Sequence, residues 1–270
     1  MKNRVSSVIL SLTVLLGAGH VAAQTRPLGE PGGLAISGER LAGVFAVDSE
    51  TDVNGTVQFG PGAPTTTVTR NENNATAIAL LGNADEVGPA AIPRLALDVF
   101  VHPHITVGGS FMYFTNSGDS RAEGTQDPPG PGGPSDLDIT ETDTSSRTLI
   151  FSPRAGAGLM FTDMIGLWGR AGFSYAKQTE EVTARTIDPG DGSTETTETT
   201  TDFSLFSLPL DVLLLIRPVE AFAFGVGPFL EIPLSGDFEL DQTGAGPDIA
   251  ADGDTSAWSY GLTVSVIGFL

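Results

Sequence analysis

The strongest constraint in this sequence is a period of two: over eight stretches, apolar residues tend to occupy every second position, with small or polar residues between them. Such alternation is typical of β-strands whose two faces meet different surroundings. In the second stretch, the apolar positions are Leu95, Leu97, Val99 and Val101. The pattern predicts an all-β protein with eight antiparallel strands, near residues 34–47, 91–101, 105–115, 148–160, 165–177, 203–216, 220–232 and 256–269.

Composition disfavours several other classes of protein. The chain has 34 glycines and 18 prolines, and lysine occurs only as Lys2 and Lys177, so a helical bundle is not expected. Cysteine is absent, which excludes disulfides, thiolate zinc sites and cysteine catalysis. The formal net charge is −20, and we expect no nucleic-acid partner because phosphates repel such a surface.

The first residues have the pattern of an export signal. Lys2 and Arg4 form a positive start, residues 8–17 are mostly apolar, and Val21-Ala22-Ala23 offers small residues at a cleavage site. We predict a signal peptide at 1–23, an N-terminal segment at 24–33 and a β domain at 34–270. An uncleaved anchor is the alternative, but the apolar run is shorter than the ~20 residues of a membrane span.

The connections between the predicted strands alternate in length. Three are short turns, at 102–104, 162–164 and 217–219, and four are long loops, at 48–90, 116–146, 179–201 and 234–254. In an up-and-down sheet, all long loops then leave from one end. These loops hold 25 of the 33 acidic residues. The first loop contains two candidate strands, TVQF and TTTVTR, so a ten-stranded barrel is the structural alternative.

The polar face of the strands distinguishes two all-β hypotheses. A soluble barrel or sandwich would place the apolar face inside, whereas an outer-membrane barrel places it against lipid. The polar face is rich in residues that suit a narrow lumen: Gly156, Gly158, Gly172, Ser174, Ala221, Ala223, Gly225 and Gly227. A predicted lumen charge cluster of both signs completes this face, consisting of Arg94, Asp98, Arg154, Arg170, Asp211 and Glu231. On a lipid face, each charge would cost about 2–4 kcal/mol near mid-depth. We therefore favour the membrane barrel.

Aromatic residues near strand ends are consistent with interfacial girdles. Tyr113, Tyr175, Trp258 and Tyr260 fall toward the long-loop ends of their strands, and Trp168 toward a short-turn end. Girdles of this kind flank the apolar band of membrane barrels.

With these features, the chain resembles the small eight-stranded outer-membrane β-barrels of Gram-negative bacteria, the OmpA/OmpX type. The last strand carries the most specific match, a polar–Gly–apolar–apolar assembly signal at Ser259, Gly261, Val264 and Val266. Family members usually end in Phe or Trp at the motif, whereas this chain runs on to Phe269-Leu270. Since the resemblance covers about residues 34–270, we expect no C-terminal peptidoglycan-binding domain.

The resemblance implies a bacterial outer-membrane location, with both termini periplasmic and the long acidic loops at the cell surface. It also implies contact with outer-membrane lipid and lipopolysaccharide, and with the barrel-assembly machinery during biogenesis. A closed barrel covers its own edges, so we expect a monomer.

The residues favour a structural or surface-exposed role without catalysis. After Ala23 the only histidines are His102 and His104, in one short turn, so no Ser-His-Asp set is expected at the outer face. Asp136 and Asp138, like Asp252 and Asp254, form D-x-D pairs without EF-hand spacing. We expect no metal and no cofactor. A narrow cation-selective pore is the alternative, with inward charges as its gate.

Overall fold

The computed structural model describes residues 26–57, 65–80, 92–122, 125–126, 135–136, 139–187, 193–244 and 248–270; the predicted signal peptide at 1–23 lies outside them. No helix in these ranges is long and apolar enough to cross a membrane. The described strands are β1 (Leu34–Val57), β2 (Thr65–Leu80), β3 (Arg94–His102), β4 (Ile105–Ala122), β5 (Thr125–Gln126), β6 (Ser135–Asp136), β7 (Ile139–Met160), β8 (Ile165–Gly172), β9 (Ser174–Ile187), β10 (Thr194–Val219), β11 (Phe222–Gly244) and β12 (Ile249–Phe269).

Eight strands pair in a ring, in the order β1, β3, β4, β7, β8, β10, β11, β12 and back to β1. All of these pairings are antiparallel, so the predicted all-β class and the ring of eight strands are confirmed. β9 follows β8 after Phe173 and pairs with the same two neighbours, β7 and β10. β2 pairs with β1 and brings the sheet to ten strands, but it is not a member of the ring.

The pairing is staggered around the ring. The row of opposed residues that leaves β1 at Ala46 returns to β1 at Leu34 after passing Tyr260, Leu230, Leu210, Ala171, Ala155, Val107 and Val99. A stagger of this kind inclines the strands to the axis of the ring. The short turns after β3, β7 and β10 lie at one end of the ring, which we call the short-turn end. We call the opposite end, toward which the strands extend into long hairpins, the long-hairpin end.

Burial alternates along the strands as the sequence period requires. In β3, the side chains of Arg94, Ala96 and Asp98 are buried inside the ring, whereas Leu95 is 70% and Leu97 48% exposed on the outside. The same alternation holds through the ring part of β7, where residues 148–158 follow a strict buried–exposed pattern. The apolar face of the strands is thus the outer face.

The segments expected as long loops are mostly strand, which corrects that part of the sequence prediction. β4 continues to Ala122, β9 to Ile187 and β11 to Gly244, each paired with its neighbours. Their Thr, Ser and Asp residues are typical of loops, but Thr favours extended pairing once the ring fixes the register. The third short turn is also shifted, because β10 runs to Val219 and the turn is formed by Glu220 and Ala221.

A bulge in β1 explains why the first stretch has the weakest alternation. Gly38 lies opposite Val266 and Ala42 lies opposite Val264, so β1 contains two more residues than β12 in this interval. Arg40 adopts a left-handed φ of 55°, which is uncommon outside glycine. As a result, the neighbouring side chains of Glu39 and Arg40 are both buried.

Replacing Gly108 with valine should destabilise the ring. A Cβ at this position would lie 2.0 Å from the Leu97 carbonyl oxygen and 2.7 Å from Asp98 Oδ1. We expect the Gly108→Val variant to lose about 1–3 kcal/mol of unfolding free energy. Gly118→Val is the matched control in the same strand, since nothing lies within 4 Å of its Cβ. Urea titration of refolded protein, followed by gel mobility, measures both; equal midpoints would contradict the close approach.

Candidate functional site

The predicted lumen charge residues lie together inside the ring. Five of them are buried: Arg94, Asp98, Arg154, Arg170 and Glu231. The sixth, Asp211, keeps 12% of its side chain exposed and lies opposite Arg170 across the β8–β10 ladder. The six come from β3, β7, β8, β10 and β11, so only the completed ring brings them together.

Arg154 is the centre of the larger group. Its guanidinium binds Asp98 in a bidentate fashion, with Nε–Oδ1 at 3.1 Å and Nη2–Oδ2 at 2.6 Å. The same guanidinium binds Glu39, with Nη1–Oε2 at 2.8 Å. The Ser37 hydroxyl also donates to Glu39 Oε1 at 3.1 Å. Bidentate pairs with further hydrogen bonds are the geometry that compensates for burying charge.

Arg170 extends this group across the interior. Its Nη1 binds Glu39 and its Nη2 lies 3.4 Å from Asp211 Oδ2. The guanidinium carbon is 4.8 Å from the centre of the Trp168 ring, in cation–π geometry. Trp168 in turn donates through Nε1 to Thr106 Oγ1 at 3.3 Å. A continuous polar path therefore joins β3, β7, β1, β8 and β10.

A second group contains Arg40, Arg94 and Glu231. Glu231 Oε1 accepts from Arg40 Nη2 at 2.6 Å and lies 3.2 Å from Arg94 Nη2. The Arg40 guanidinium carbon is 4.6 Å from the centre of the Phe229 ring. With the first group, this gives four arginines and four carboxylates in the interior, a set that is neutral as a whole.

Two members of this set, Glu39 and Arg40, were not predicted from the sequence. They lie in the first stretch, where the polar positions change parity, and two adjacent residues cannot both face inward in a regular strand. The bulge in β1 removes that restriction. The only signal in the sequence was an adjacent Glu–Arg pair inside a weakly alternating strand.

Apolar layers lie on both sides of the charged set. Toward the short-turn end is a buried cluster made of Leu28, Ala35, Phe100, Met160, Trp168, Leu213, Leu215, Ala223 and Ile267. Toward the long-hairpin end is a second cluster, made of Met112, Ile150, Ala176, Leu205 and Ala257. Because side chains fill the interior at three levels, the charged set is shielded from bulk water.

One aromatic prediction was wrong. Trp168 is fully buried inside the ring rather than at an interface on its outside. It occupies an inward position of β8, next to Arg170 in the same face of the strand. The other four girdle candidates are 40–61% exposed on the outer face: Tyr113, Tyr175, Trp258 and Tyr260.

Free space within the charged set is small. A cavity of about 10 Å³ is bounded by its arginines and by Ser110, Ser152, Thr263 and Ser265. A space of this size corresponds to about one water molecule. The Thr263 and Ser265 hydroxyls have no hydrogen-bond partner among the described residues. The geometry thus holds a packed ion network rather than a cavity for an organic ligand.

The remaining candidate residues are the two histidines of the first short turn and the carboxylates of the D-x-D pairs. His102 and His104 form the turn between β3 and β4, where His104 Nδ1 lies 3.1 Å from the Gly158 carbonyl oxygen. Within the described ranges, no group of three or more metal-ligating side chains is present. Asp138 lies outside those ranges, and Asp252 and Asp254 are exposed on the outer face of β12.

The residues of the predicted assembly signal all lie in the paired part of β12. Ser259 is buried inside the ring, whereas Val264 and Val266 alternate with the buried Thr263 and Ser265 and take outward positions. β12 continues past the motif to Phe269, whose ring packs against the apolar cluster at the short-turn end. Recognition of this motif by assembly machinery stays a prediction.

Comparisons with known proteins find only matches of low sequence identity. No family model and no curated protein matches the chain. Among solved structures, it is similar to outer membrane protein OprG from Pseudomonas aeruginosa (10% identity, 88% of this chain and 97% of that chain, TM-score 0.37). It is similar to outer membrane protease OmpT from Escherichia coli (10%, 88% and 97%, 0.36). It is also similar to Ail, the attachment invasion locus protein of Yersinia pestis (13%, 83% and 98%, 0.20). At these TM-scores, the architecture rests on the chain's own strand pairing.

Removing the Arg154 side chain should be strongly destabilising. In Arg154→Ala, the buried carboxylates of Asp98 and Glu39 lose their shared partner, and we expect a loss of about 3–5 kcal/mol in unfolding free energy. Urea-induced unfolding followed by tryptophan fluorescence measures it. Arg121→Ala is the control, because its 3.1 Å pair with Glu141 is exposed and should be worth about 1 kcal/mol or less.

A double-variant cycle tests the pairing itself. Asp98→Ala combined with Arg154→Ala should cost clearly less than the sum of the single losses. Additive losses would show that the two side chains do not act as a pair.

Proposed function

We propose that this protein is a structural, non-catalytic outer-membrane β-barrel of the OmpA/OmpX type, whose sealed ring spans the bilayer and carries long acidic hairpins outside it. The observation that carries this proposal is the inverted burial: apolar side chains face outward around the ring while the charged set is buried within it. In water, so large an exposed apolar surface would be an aggregation site. In a bilayer, it is the lipid-facing band.

The outer face of β4 supports a membrane boundary near Tyr113. Its outward residues are apolar at Val107 and Phe111, then polar from Thr115 through Asp119 and Arg121. A membrane-crossing strand needs about 9–11 residues. β10, with 26 residues, is long enough to cross and to extend well beyond the bilayer. The acidic residues of the hairpins then remain in water, where their charge carries no desolvation cost.

The arrangement of the ends supports the proposed orientation. Leu34 and Leu270 exchange backbone hydrogen bonds of 2.9 Å in both directions, so the ring begins and ends at the short-turn end. We infer that both termini lie in the periplasm and that the hairpins lie at the cell surface, in contact with lipopolysaccharide. Since the ring strands pair with each other all around, no partner is needed to cover them, and we infer a monomer.

A charge on the outer face of the ring should impair membrane insertion. Leu97→Arg places a cation in the proposed lipid-facing band and should reduce insertion stability by about 2–4 kcal/mol. Thr115→Arg is the control, because this outward position lies beyond Tyr113 and should have little effect. The folded fraction in lipid vesicles, scored by heat-modifiable gel mobility, measures both. A detergent-free soluble monomer, indifferent to Leu97→Arg, would overturn the proposal.

The folded protein should not conduct ions. We expect no unitary currents in planar bilayers, because the interior is filled at three levels and the cavity among the charges holds about one water molecule. Protein shown to be folded by gel mobility is required for the recording. Reproducible cation-selective steps would favour the narrow pore instead.

A further inference from the structure

The segment before β1, residues 26–33, crosses the short-turn end of the ring; we call it the strap. Its first residue pairs with the end of β7: the Arg26 amide donates to the Met160 carbonyl at 3.0 Å, and the Met160 amide donates back at 3.1 Å. The Arg26 side chain also pairs with Asp163 in the turn between β7 and β8. The strap is therefore held to the second short turn.

The strap is also held to the first short turn and to the end of β10. The amides of Leu28 and Gly29 donate to the Pro103 carbonyl, at 2.9 and 3.4 Å. The Leu28 carbonyl oxygen lies 3.4 Å from Arg217 Nη1, at the end of β10. A guanidinium that faces a carbonyl oxygen at this distance adds a weak polar contact. Arg26, Leu28 and Gly29 thus contact two of the short turns and the end of β10, where Arg217 Nε donates to the Glu220 carbonyl oxygen of the third turn at 2.8 Å.

One apolar side chain fixes the middle of the strap. Leu28 is fully buried in the cluster with Phe100, Met160 and Trp168. The fit is close on both sides: a Cβ at Gly158 would lie 2.5 Å from Leu28 Cδ2, and a Cβ at Gly29 would lie 2.7 Å from the Phe100 ring. Glycine at these two positions lets the strap approach the wall of the ring.

We propose that the strap is a seal that closes the short-turn end of the ring, with Leu28 as its anchor. Its other contacts are backbone hydrogen bonds to Met160, Phe100 and Pro103, the Arg217 contact, and one exposed ion pair, Arg26–Asp163, with side chains 57% and 80% exposed. Exposed ion pairs of this kind contribute little to stability. Withdrawal of Leu28 alone then opens the apolar cluster to solvent, while the strand pairing of the ring stays intact.

The absence of cysteine makes the seal directly measurable. Ala223, fully buried in the same cluster on β11, becomes a unique thiol probe in Ala223→Cys. With a water-soluble maleimide, we expect slow labelling of Ala223→Cys alone. Adding Leu28→Asp should accelerate labelling at least about tenfold, since it removes the buried anchor. Adding Leu28→Met, which conserves the volume, should leave the rate within about threefold.

The test separates the seal from general instability. Gel mobility and β-sheet circular dichroism must show a folded ring in each labelled sample; if Leu28→Asp does not fold, Leu28→Ala replaces it with the same expectation. Equal labelling rates in folded anchor variants and in the parent would overturn the proposal, as would fast labelling of the parent. Because the assay works in detergent, it does not depend on where the protein resides in the cell.

Discussion

The shared binding of Glu39 and Asp98 by Arg154 is the interaction on which the interior depends. Burying so many charges in one protein is expensive unless each is paired and hydrogen-bonded. The β1, β3 and β7 strands must all be in register for this triad to form, so the polar interior specifies one register of the ring. Gly108 lies between the same two partners, opposite Asp98 and Arg154, and leaves the space that their contact needs.

The inside-out distribution follows from that interior. Once the inward positions hold ions, serines and small residues, the apolar positions can only face outward, since a strand has two faces. The structure is still not simply polar inside: apolar layers above and below the ion network separate it from water. This layering raises the effective strength of the ion pairs, because the local dielectric is lower than that of bulk solvent.

Much of the ring could be predicted because β alternation depends on local sequence alone. The alternation from Leu95 to Val101 and from Trp258 to Val266 assigns each residue to one face of its strand without information from the rest of the chain. The features that were missed depend on distant partners. The position of Trp168 near a turn predicts an interfacial side chain, but its inward parity and the Arg170 guanidinium against its ring place it inside. The Thr-rich part of β10 becomes strand only because β9 and β11 flank it, and Arg40 turns inward only because β1 bulges.

The bulge in β1 also bears on how such a chain can change in evolution. Its two extra residues keep Phe45 on the same face as Ser37. β11 has a bulge of the other kind: between Glu231 and Asp237 it has one residue more than β12, and its buried positions change from odd numbers, up to Glu231, to even numbers from Gly236. An odd insertion in the wall of the ring therefore requires the apolar and polar positions after it to exchange parity. Related chains whose strands differ in length by one residue should carry that change of parity in their sequence.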